Sequence, residues 1–361
     1  MELESAIPAW LKTERTLSAK TPPGFKPPFE LYTSRFPRDT KDLTLAVIGA
    51  QYAARAVYDG QAVETISSYV TSDIVDVGSR PGFFEVAAEI DMDGFYNIAV
   101  LAYWPSRVAF EEWSTTSGFH KWWATVDREV QQQQGWFLEV FFPTIERFET
   151  VFSTTVPEGA AHMRESISGP IQEHVYWGSM RDRLPISQVD SLAKQAAYIP
   201  CGELSSKSRE ARQRVRISGT RNLAVIRSGQ DWSATIPEER NLYLDSMHPT
   251  LAKGMQYLRD NGDEVGCISC RFMDIVDPVN LQAKKDRTFG LAYFDCLGSL
   301  ESWSKSHPTH IAIFGEFAKY AKKLGDKMSL RLFHEVLVLE PEQQLFEYID
   351  CHRRTGMLNK L

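Results

Sequence analysis

The sequence predicts an α+β fold in which one unit of strands and helices occurs twice, and three observations support this prediction. Segments with the alternation of β-strands and segments with helical period follow one another in the same order in both halves of the chain. The halves also align without gaps, so that LAYW at 101–104 stands opposite LAYF at 291–294 and His120 stands opposite His310. Finally, 43% hydrophobic and 12% aromatic residues are enough to bury a large core. Together these features indicate an internal duplication.

The first repeat is predicted over residues 43–150. LTLAVIGAQY (43–52) has the pattern of a strand, and GQAVETISSYV (60–70) places its apolar residues at helical spacing. FYNIAVLAYW (95–104) and GWFLEVFFP (135–143) are two further strands, and a helical segment separates them. The order of elements is therefore βα, then ββ, then αβ.

The second repeat is predicted over residues 222–361 and has the same order. Its strands are 222–229, 266–276, 288–297 and 330–339. One helix runs from about Pro237 to Asn261, and another begins at SHPTH. Such a unit folds as a four-stranded antiparallel sheet with helices on one face, which is the ferredoxin-like arrangement. We therefore predict two ferredoxin-like halves of the dimeric α+β barrel type, whose sheets form a barrel-like core flanked by helices.

Two segments lie outside the repeats. Residues 1–42 are rich in Pro, Lys and Arg without periodicity, so we expect an extended N-terminal arm laid over the core. Residues 151–221 are also irregular, and we expect them to form a connecting lobe between the halves. The lobe carries the unusual segment EHVYWGSMRDRLPIS at 173–187.

The charge distribution disfavours several classes of partner. With 40 Lys and Arg against 47 Asp and Glu, the formal net charge is −7 without long runs, so no basic surface for nucleic acid is indicated. The N-terminus MELESAIPAW is unlike a secretory signal, and no apolar run is long enough to span a bilayer. The five cysteines fit reduced thiols rather than disulfides. We expect a cytoplasmic protein with no nucleic-acid or membrane partner.

Two histidines flank a proline in the motif SHPTHIAIF. Pro308 is favoured in the first turn of a helix, so we predict that the helix begins there and that His307 is its cap. His310 then lies inside the first turn, and Ile313 and Phe317 continue its face at helical spacing. His310 is therefore expected to point into an apolar environment.

A third histidine lies in the strand that follows this helix. In LRLFHEVLVL, alternation puts His334 on the same face as Leu332 and Val336, so it is a polar residue in an apolar row. Each histidine alone is typical of a core residue bonded to a backbone carbonyl. Two buried histidines on consecutive packed elements favour a functional site. A buried imidazole suits either a haem iron ligand or an acid/base catalyst. These patterns do not decide which histidine has which role.

Other kinds of site are disfavoured by residue spacing. Cys267 and Cys270 resemble half a zinc site, but an offset of three in a strand predicts side chains on opposite faces, and no second pair follows. The sequence has no glycine-rich nucleotide loop, no serine hydrolase elbow and no zinc protease motif. His248-Pro249-Thr250 repeats the tripeptide without a second histidine, and we interpret it as a kink in a surface helix.

Four motifs resemble, in the same order, those of the aldoxime dehydratases, which are haem enzymes that convert aldoximes into nitriles. The motifs are EHVYWGSMRDRLPIS, LAVIRSGQDW, SHPTH followed by LRLFHEV, and the closing LFEYIDCHRRTGML. The resemblance covers most of the chain from about residue 43 to the C-terminus. It implies a lyase on a duplicated ferredoxin-like core, a homodimer with one non-covalent haem b per subunit, and a small-molecule aldoxime as substrate.

The resemblance also implies roles for single residues. His310, the second histidine of SHPTH, is expected to be the proximal ligand of the haem iron, and His334 the distal catalytic histidine. Ser228 in IRSG is expected to hydrogen-bond the oxime hydroxyl. Arg183 in MRDR and Glu149 in RFET are expected to support His334. Without the resemblance, Arg183 is typical of a solvated surface and Glu149 of a strand edge.

Two further residues are expected near the bound groups. Phe317 is a candidate for contact with haem or substrate, although an aromatic residue at this spacing is more often plain core. Leu31 in the arm occupies a place where the family lines its substrate pocket, so the preferred aldoxime is left open. Because the substrate must meet the iron, we expect Fe(II) as the working state. The alternatives are a haem peroxidase or monooxygenase on the same fold, a haem-binding sensor or carrier with His334 as second axial ligand, and a haem-free dimeric ligand-binding module.

Overall fold

The chain folds around one large antiparallel sheet. A computed structural model describes residues 3–128, 134–194, 213–277, 280 and 284–361 of the protein. Within these residues, 11 strands follow one another in the main sheet, and a separate sheet has 2 strands. The fold therefore has the α+β character that the sequence predicts, with helices packed on the outside of the sheet.

The elements are numbered in chain order. The strands are β1 (Ser34–Arg35), β2 (Thr44–Tyr52), β3 (Phe83–Ile90), β4 (Tyr96–Trp104), β5 (Gly135–Phe141), β6 (Phe148–Phe152), β7 (Ser166–Ile167), β8 (Arg214–Ile217), β9 (Leu223–Asp231), β10 (Cys267–Val276), β11 (Lys284–Phe294), β12 (Arg331–Leu339) and β13 (Gln344–Ile349). The α-helices are α1 (Gln61–Val70), α2 (Arg107–Thr116), α3 (Phe119–Trp123), α4 (Ser179–Arg183), α5 (Pro237–Leu242), α6 (His248–Asp260), α7 (Leu297–Ser306) and α8 (Pro308–Leu324). A π-helical turn, Tyr243–Met247, joins α5 to α6. No helix in the described ranges combines the length and hydropathy needed to cross a membrane.

Both halves have the ferredoxin-like strand order. In the first half the order across the sheet is β3-β4-β2-β5, and in the second it is β10-β11-β9-β12. In each unit the first and third strands lie in the centre, and the second and fourth lie at the edges. The predicted duplicated ferredoxin-like fold is confirmed, and the strands predicted at the start of each half are observed as β2 and β9.

The halves are joined at both edges, so that the two predicted sheets form one continuous sheet. β3 pairs with β10 at one edge. At the other edge the chain crosses over, because β6 follows β5 but pairs with β12, whereas β13 follows β12 but pairs with β5. Phe141 opposite Gln344 and Phe152 opposite Phe333 share one antiparallel register, since the residue numbers of both pairs add to the same total. The segment that carries β5 and β6 therefore pairs along its length with the segment that carries β12 and β13. This pairing closes the sheet into a barrel-like core.

Apolar side chains from the long strands of both halves fill the inside of the barrel. On the outside, the first half carries a second core beneath α1, α2 and α3, which is rich in aromatic residues such as Trp104, Trp113 and Phe119. The second half carries a third core between its sheet and helices α6 and α7. The two outer layers differ in how completely they are filled, and this difference creates the site described below.

One local prediction for the second half is wrong. A β-bulge just after Cys267 shifts the register of β10 against β11, so that Cys267 and Cys270 lie in the same buried cluster rather than on opposite faces. Both are free thiols, as are Cys296 and Cys351. The described residues contain no group of three or more His, Cys, Asp or Glu residues that could hold a metal ion. The fifth cysteine, Cys201, lies outside the described residues.

The N-terminal segment crosses the lobe predicted between the halves. β1 pairs with β7, and Tyr32 pairs with Phe152 at the end of β6. The Lys20 N–H donates to both carboxylate oxygens of Asp182, at 3.0 and 2.9 Å. The boundaries at residues 42, 150 and 221 that separate arm, halves and lobe remain a prediction.

Candidate active site

A cavity lies between the outer face of the second half of the sheet and the helices that cover it. It encloses about 1200 Å³, counted with the part that opens to solvent. The sheet wall comes from β9, β11 and β12, and the opposite walls come from α6, α7, α8 and the π-helical turn. Four residues that the sequence predicts for the site line this cavity: Ser228, His310, Phe317 and His334. The structure therefore brings these four together.

The cavity exists because part of the sheet wall is built from small side chains. Ser228 and Gly290 are direct neighbours on β9 and β11. In the first half the matching pair on β2 and β4 is Ile48 and Val100, and both belong to the close-packed aromatic core. A Cβ atom on Gly290 would lie only 2.6 Å from the sulfur of Met255, so this floor tolerates no larger residue without rearrangement. The same scaffold is filled in the first half and hollow in the second.

The start of α8 places His310 in the cavity. His307 is the N-cap residue, and its Nδ1 accepts a hydrogen bond from the Thr309 N–H at 3.4 Å. Pro308 occupies the first turn, where its missing N–H costs nothing. The predicted cap role of His307 and the predicted inward direction of His310 are both confirmed.

The His310 imidazole is neutral at pH 7. Burial lowers the pKa of His310 to about 4, and the Ser304 carbonyl beside the ring opposes that shift without reaching good hydrogen-bond geometry at Nδ1. The Trp303 ring packs edge-on against the imidazole, with centroids 4.8 Å apart. A neutral imidazole on an apolar cavity wall is what ligation of a haem iron requires.

The predicted inner face of α8 borders the cavity rather than a close-packed core. Phe314 and Phe317 line the cavity together with His310. Of the residues of α8, all of which the structure describes, only Tyr320 is fully buried, and 45% of Phe314 is exposed. Phe314 packs against Trp177 of the lobe, with ring centroids 6.1 Å apart. The inner face of α8 thus points in the predicted direction but leaves room for a ligand beneath the helix.

His334 and Ser228 form the sheet side of the site. They lie directly opposite one another on the neighbouring strands β12 and β9, and both line the cavity. Burial lowers the pKa of His334 to about 4, and the positive charge of Arg183 and the nearby His310 add to this shift. His334 is therefore neutral at pH 7. The inward direction predicted for both side chains is confirmed.

Arg183 and Glu149 form a buried ion pair close to His334. Nε and Nη2 of Arg183 donate to the two Glu149 oxygens at 2.7 and 2.9 Å, and Nη1 donates to the Glu173 carbonyl at 3.0 Å. Glu149 lies on β6 opposite Val336, which shares a face of β12 with His334. Burial raises the pKa of Glu149, and Arg183 opposes that shift. Arg183 is thus buried rather than on a solvated surface, although neither residue lines the cavity itself.

His174 is a candidate site residue that the sequence pattern did not indicate. Only 1% of it is exposed, and neither ring nitrogen has a hydrogen-bond partner of good geometry among the described residues. Burial and the charge of Arg183 lower the pKa of His174 to about 4, against an opposing effect of the Ile171 carbonyl. Its ring lies 5.6 Å from that of Phe29 in the arm, which in turn lies 6.4 Å from Phe317. The available signal was its place in the motif EHVYWGSMRDR.

The lowered pKa of His174 predicts that the fold is sensitive to acid. The unfolded chain takes up a proton near the ordinary pKa of 6.5, whereas the folded chain does so only near pH 4. The contribution of His174 to stability is therefore present above pH 6.5 and is lost as the pH falls toward 4. For a fully buried ring this amounts to about 2 to 3 kcal/mol.

We expect His174→Phe to lose less unfolding free energy than the wild type between about pH 7 and pH 4, because the phenyl ring takes up no proton. The measurement is urea unfolding of the haem-free protein at a series of pH values. His120→Phe, at an exposed position, serves as the control and is expected to keep the wild-type dependence. If the unfolding free energy of the wild type and of His174→Phe depends on pH in the same way, the lowered pKa assigned to His174 is contradicted.

Helix α6 is not the surface helix that the sequence suggests. The chain before His248 forms the π-helical turn Tyr243–Met247, and α6 then lines the cavity through Leu251, Met255 and Leu258. The π-turn inserts one residue into the helical spacing, so the predicted kink is a change of helix type. The spacing of these three apolar residues at i, i+4 and i+7 was the signal for a buried face.

Leu31, which the resemblance places near the substrate pocket, is not among the residues that line the cavity. It packs against Ala6, Val151 and Ile171 where the arm meets the lobe. Val151 lies opposite His334 in the pairing of β6 with β12. Leu31 therefore contacts the residue that pairs with His334, and not the cavity.

The cavity fits a haem group. A neutral imidazole stands on the helix wall, a second stands on the sheet wall, and small residues leave space between them. No Asp, Glu, Lys or Arg occurs among the described residues that line it, so an apolar macrocycle meets an apolar surface. His310 is the residue that would hold the iron from the helix side, and His334 faces the opposite side.

This fold and this cavity define a class of protein. The sequence profile of a family described as haem-containing dehydratase matches residues 46–357 of the chain. The chain belongs to the haem-containing dehydratase family, and the cofactor that the cavity fits is the one in the family's description.

Similar proteins show which members of the family this chain resembles. The aliphatic aldoxime dehydratase of Pseudomonas chlororaphis is 39% identical over 99% of this chain and 98% of that protein. The phenylacetaldoxime dehydratase of Bacillus sp. (strain OxB-1) is 30% identical over 93% of each chain. A solved aldoxime dehydratase in complex with butyraldoxime superposes with a TM-score of 0.88 at 36% identity, covering 99% of this chain and 96% of that one. The chain is thus similar to aldoxime dehydratases over its whole length.

Proposed function

We propose that this chain catalyses the haem-dependent dehydration of aldoximes, in which R–CH=N–OH gives R–C≡N and water. The observation that carries the proposal is a neutral His310 imidazole on one wall of an apolar cavity, with Ser228 and His334 on the opposite wall. The family is haem-containing, and relatives that cover 99% and 93% of the chain are named for aldoxime dehydration. The chain is accordingly a lyase.

His310 holds the haem iron in this proposal, and Phe317 contacts the macrocycle or the substrate from the same helix. Non-covalent haem b fits because none of the described cysteines lines the cavity. When bound in the Fe(II) state, the haem offers a site for the oxime nitrogen and electron density that weakens the N–O bond. The remaining work falls to side chains of the protein.

His334 moves the protons of the reaction. In the overall change, the proton on the oxime carbon is lost and the hydroxyl group leaves as water. The neutral imidazole can accept the proton from the oxime carbon as the third carbon–nitrogen bond forms and donate it to the hydroxyl oxygen as the N–O bond breaks, so that water leaves and the protonation state of His334 is restored after each turnover. A pKa of about 4 keeps His334 neutral before the substrate binds, so it carries the extra proton only during turnover.

Ser228 and the Arg183–Glu149 pair complete the proposed site. The Ser228 hydroxyl stands beside His334 and orients the oxime hydroxyl toward the imidazole. Arg183 and Glu149, bonded by two hydrogen bonds, fix the charge distribution around His334. This gives each residue of the predicted site a role in orientation or proton transfer.

We expect Ser228→Ala to lower kcat for butyraldoxime about 10- to 100-fold, because a lost hydrogen bond to the reacting hydroxyl costs about 1.5 to 3 kcal/mol. Ser304→Ala is the matched control, since Ser304 also lines the cavity but its hydroxyl donates to the Leu300 carbonyl at 2.8 Å. The control is expected to stay within about threefold of the wild type. Rates are measured on protein of known haem content, and equal losses in both variants would contradict the role of Ser228.

The visible spectrum and the turnover of the purified protein test the proposed function. The haem-loaded protein reduced with dithionite is expected to convert butyraldoxime and phenylacetaldoxime into nitriles. Full activity of the oxidised protein, or no Soret band after expression with ample haem, would contradict it. A six-coordinate low-spin ferrous spectrum that is lost in His334→Ala would instead favour the haem sensor or carrier. Turnover that needs peroxide or dioxygen would favour the peroxidase or monooxygenase.

We also propose that the protein works as a homodimer in the cytoplasm, without a nucleic-acid or membrane partner. Ile311 on α8 and Trp177 in the lobe are 49% and 47% exposed, which offers apolar surface for a second copy. The described cysteines are free thiols, as is usual in a reducing compartment. Size-exclusion chromatography with light scattering measures the assembly, and a monomer at micromolar concentration would contradict the dimer.

A further inference from the structure

We infer that Tyr103 and Glu335, inside the barrel, position Ser228 and His334 for the reaction, and this inference rests on the proposed function. Because side chains alternate along a strand, the residues next to Ser228 and His334 point to the opposite face of the sheet. These residues are Arg227 and Glu335, and they lie directly opposite one another just as Ser228 and His334 do. Ser228 and His334 therefore lie on the outer face of the sheet, and the charged residues Arg227 and Glu335 lie behind them on its inner face.

Arg227 and Glu335 form a fully buried ion pair. Both side chains have no exposed surface, and Nη1 of Arg227 lies 3.3 Å from Oε2 of Glu335. The guanidinium lies over the rings of Phe289 and Phe333, with centroids 4.6 and 4.8 Å away, and its Nη2 bonds Glu85. A guanidinium that contacts two aromatic rings and is bonded at its edge has little freedom to move. Arg227 thus gives Glu335 a fixed partner.

Hydrogen bonds also hold both carboxylate oxygens of Glu335. The Tyr103 hydroxyl donates to Oε2 at 2.8 Å, and the Ala160 N–H donates to Oε1 at 2.7 Å. Tyr103 lies on β4 of the first half, so its bond ties β12 to the other half of the barrel. Since Glu335 follows His334 directly, a shift of the carboxylate moves the backbone that carries the imidazole. The network inside the barrel therefore sets the place of His334 relative to Ser228.

The duplication provides a second buried tyrosine–glutamate pair, which does not lie beneath the proposed catalytic pair. Tyr293 and Glu139 occupy the positions equivalent to Tyr103 and Glu335, and the Tyr293 hydroxyl likewise donates to Glu139. Arg271 bonds both oxygens of Glu139, at 2.6 and 2.7 Å. The two tyrosine–glutamate bonds thus have the same chemistry and are both buried.

The two networks differ in what lies on the other side of the sheet. Beside Glu139, the outer residues are Leu138 and Ile48, which face one another on β5 and β2 and belong to the core of the first half. Beside Glu335, the outer residues are His334 and Ser228. Breaking either tyrosine bond removes one buried hydrogen bond to a carboxylate that keeps other donors, Tyr348 and Arg271 for Glu139 and Ala160 and Arg227 for Glu335. Only one of the two bonds lies beneath the proposed catalytic pair.

The test compares Tyr103→Phe with Tyr293→Phe in the haem-loaded protein. Each variant removes one buried hydroxyl and adds no volume, so both are expected to lower Tm by a similar few degrees and to keep wild-type haem content. Tyr103→Phe is expected to lower kcat for butyraldoxime about threefold to tenfold with KM unchanged, because orientation matters most in the transition state. Tyr293→Phe is expected to keep the wild-type kcat.

A second measurement asks whether Tyr103 acts through His334. In the His334→Ala background, Tyr103→Phe is expected to cause no further loss of rate, because the residue that it positions is gone. The same fractional loss in both backgrounds would overturn the inference. Equal kcat values for Tyr103→Phe and Tyr293→Phe would also overturn the inference. If His334→Ala then still shows a large loss of rate, the proposed function remains supported. If both His334→Ala and Ser228→Ala keep the wild-type rate, the proposed function fails and the inference falls with it.

Discussion

His310→Ala is expected to yield folded protein that binds no haem and has no measurable turnover of butyraldoxime. The imidazole of His310 is the nitrogen ligand that α8 presents to the cavity, and its low pKa leaves the ring free of a competing proton at pH 7. Alanine offers no ligand, and the apolar contacts that remain do not fix the iron. Soret absorbance per chain and the rate of nitrile formation are the two measurements.

The duplication supplies a control for this prediction. His120 is the residue that aligns with His310, and its Nδ1 lies 3.1 Å from the Ser114 carbonyl at the surface of the first half. His120→Ala is expected to keep haem and activity, because His120 is exposed and does not line the cavity that holds His310. His307→Ala removes the cap of α8 and is expected to cost about 1 kcal/mol of stability while haem stays bound. Loss of haem in His120→Ala with retention in His310→Ala would show that the ligand assignment is wrong.

The positions of the histidines could be predicted from sequence because they depend on local chemistry. Pro308 marks the first turn of a helix, and the apolar spacing that follows identifies the inner face. Alternation along β9 and β12 likewise places Ser228 and His334 on one side of the sheet. These rules involve residues a few positions apart, and the structure agrees with each of them.

Contacts between distant segments could not be derived in the same way. Arg183 and Glu149 are 34 residues apart, and the hydrogen bonds between them depend on how the lobe packs on β6. Their roles came from the family resemblance alone. The exchange of β6 and β13 between the halves is of the same kind, because both strands have ordinary patterns and only their pairing partners are unexpected.

Two local errors have a common cause. The bulge after Cys267 and the π-helical turn before His248 each add one residue to a regular element. A pattern read with a fixed period then assigns the following side chains to the wrong face or the wrong environment. At Cys267 the result is that both cysteines face the same buried cluster, whereas the regular spacing within α6 itself gives the face that lines the cavity.

The asymmetry of the duplication accounts for the cavity in the second half. Equivalent positions hold Ile48 and Val100 in the first half and Ser228 and Gly290 in the second. Replacing two branched apolar side chains by a hydroxymethyl group and a hydrogen removes material from the sheet wall, and although Met255 of α6 packs against Gly290, open space remains between the sheet and the helices. The half that keeps the large residues is a packed structural unit, because no ligand is needed to complete its core.

His334→Ala is expected to keep a full complement of haem and to lower kcat about 10²- to 10⁴-fold, the range typical of a lost acid/base group. His334 lies on the sheet wall, opposite the helix that carries the proposed iron ligand, so its removal leaves haem binding intact. Leu332→Ala is the matched control, since Leu332 lines the same cavity two residues earlier on β12 and its loss creates space without removing a proton carrier. Its kcat is expected to fall by less than about tenfold.

Nitrile formation under dithionite at matched haem content measures both variants. If kcat falls no further in His334→Ala than in Leu332→Ala, His334 contributes only to the shape of the cavity. A large fall of kcat in His334→Ala alone is the result expected if this imidazole carries the proton between carbon and oxygen.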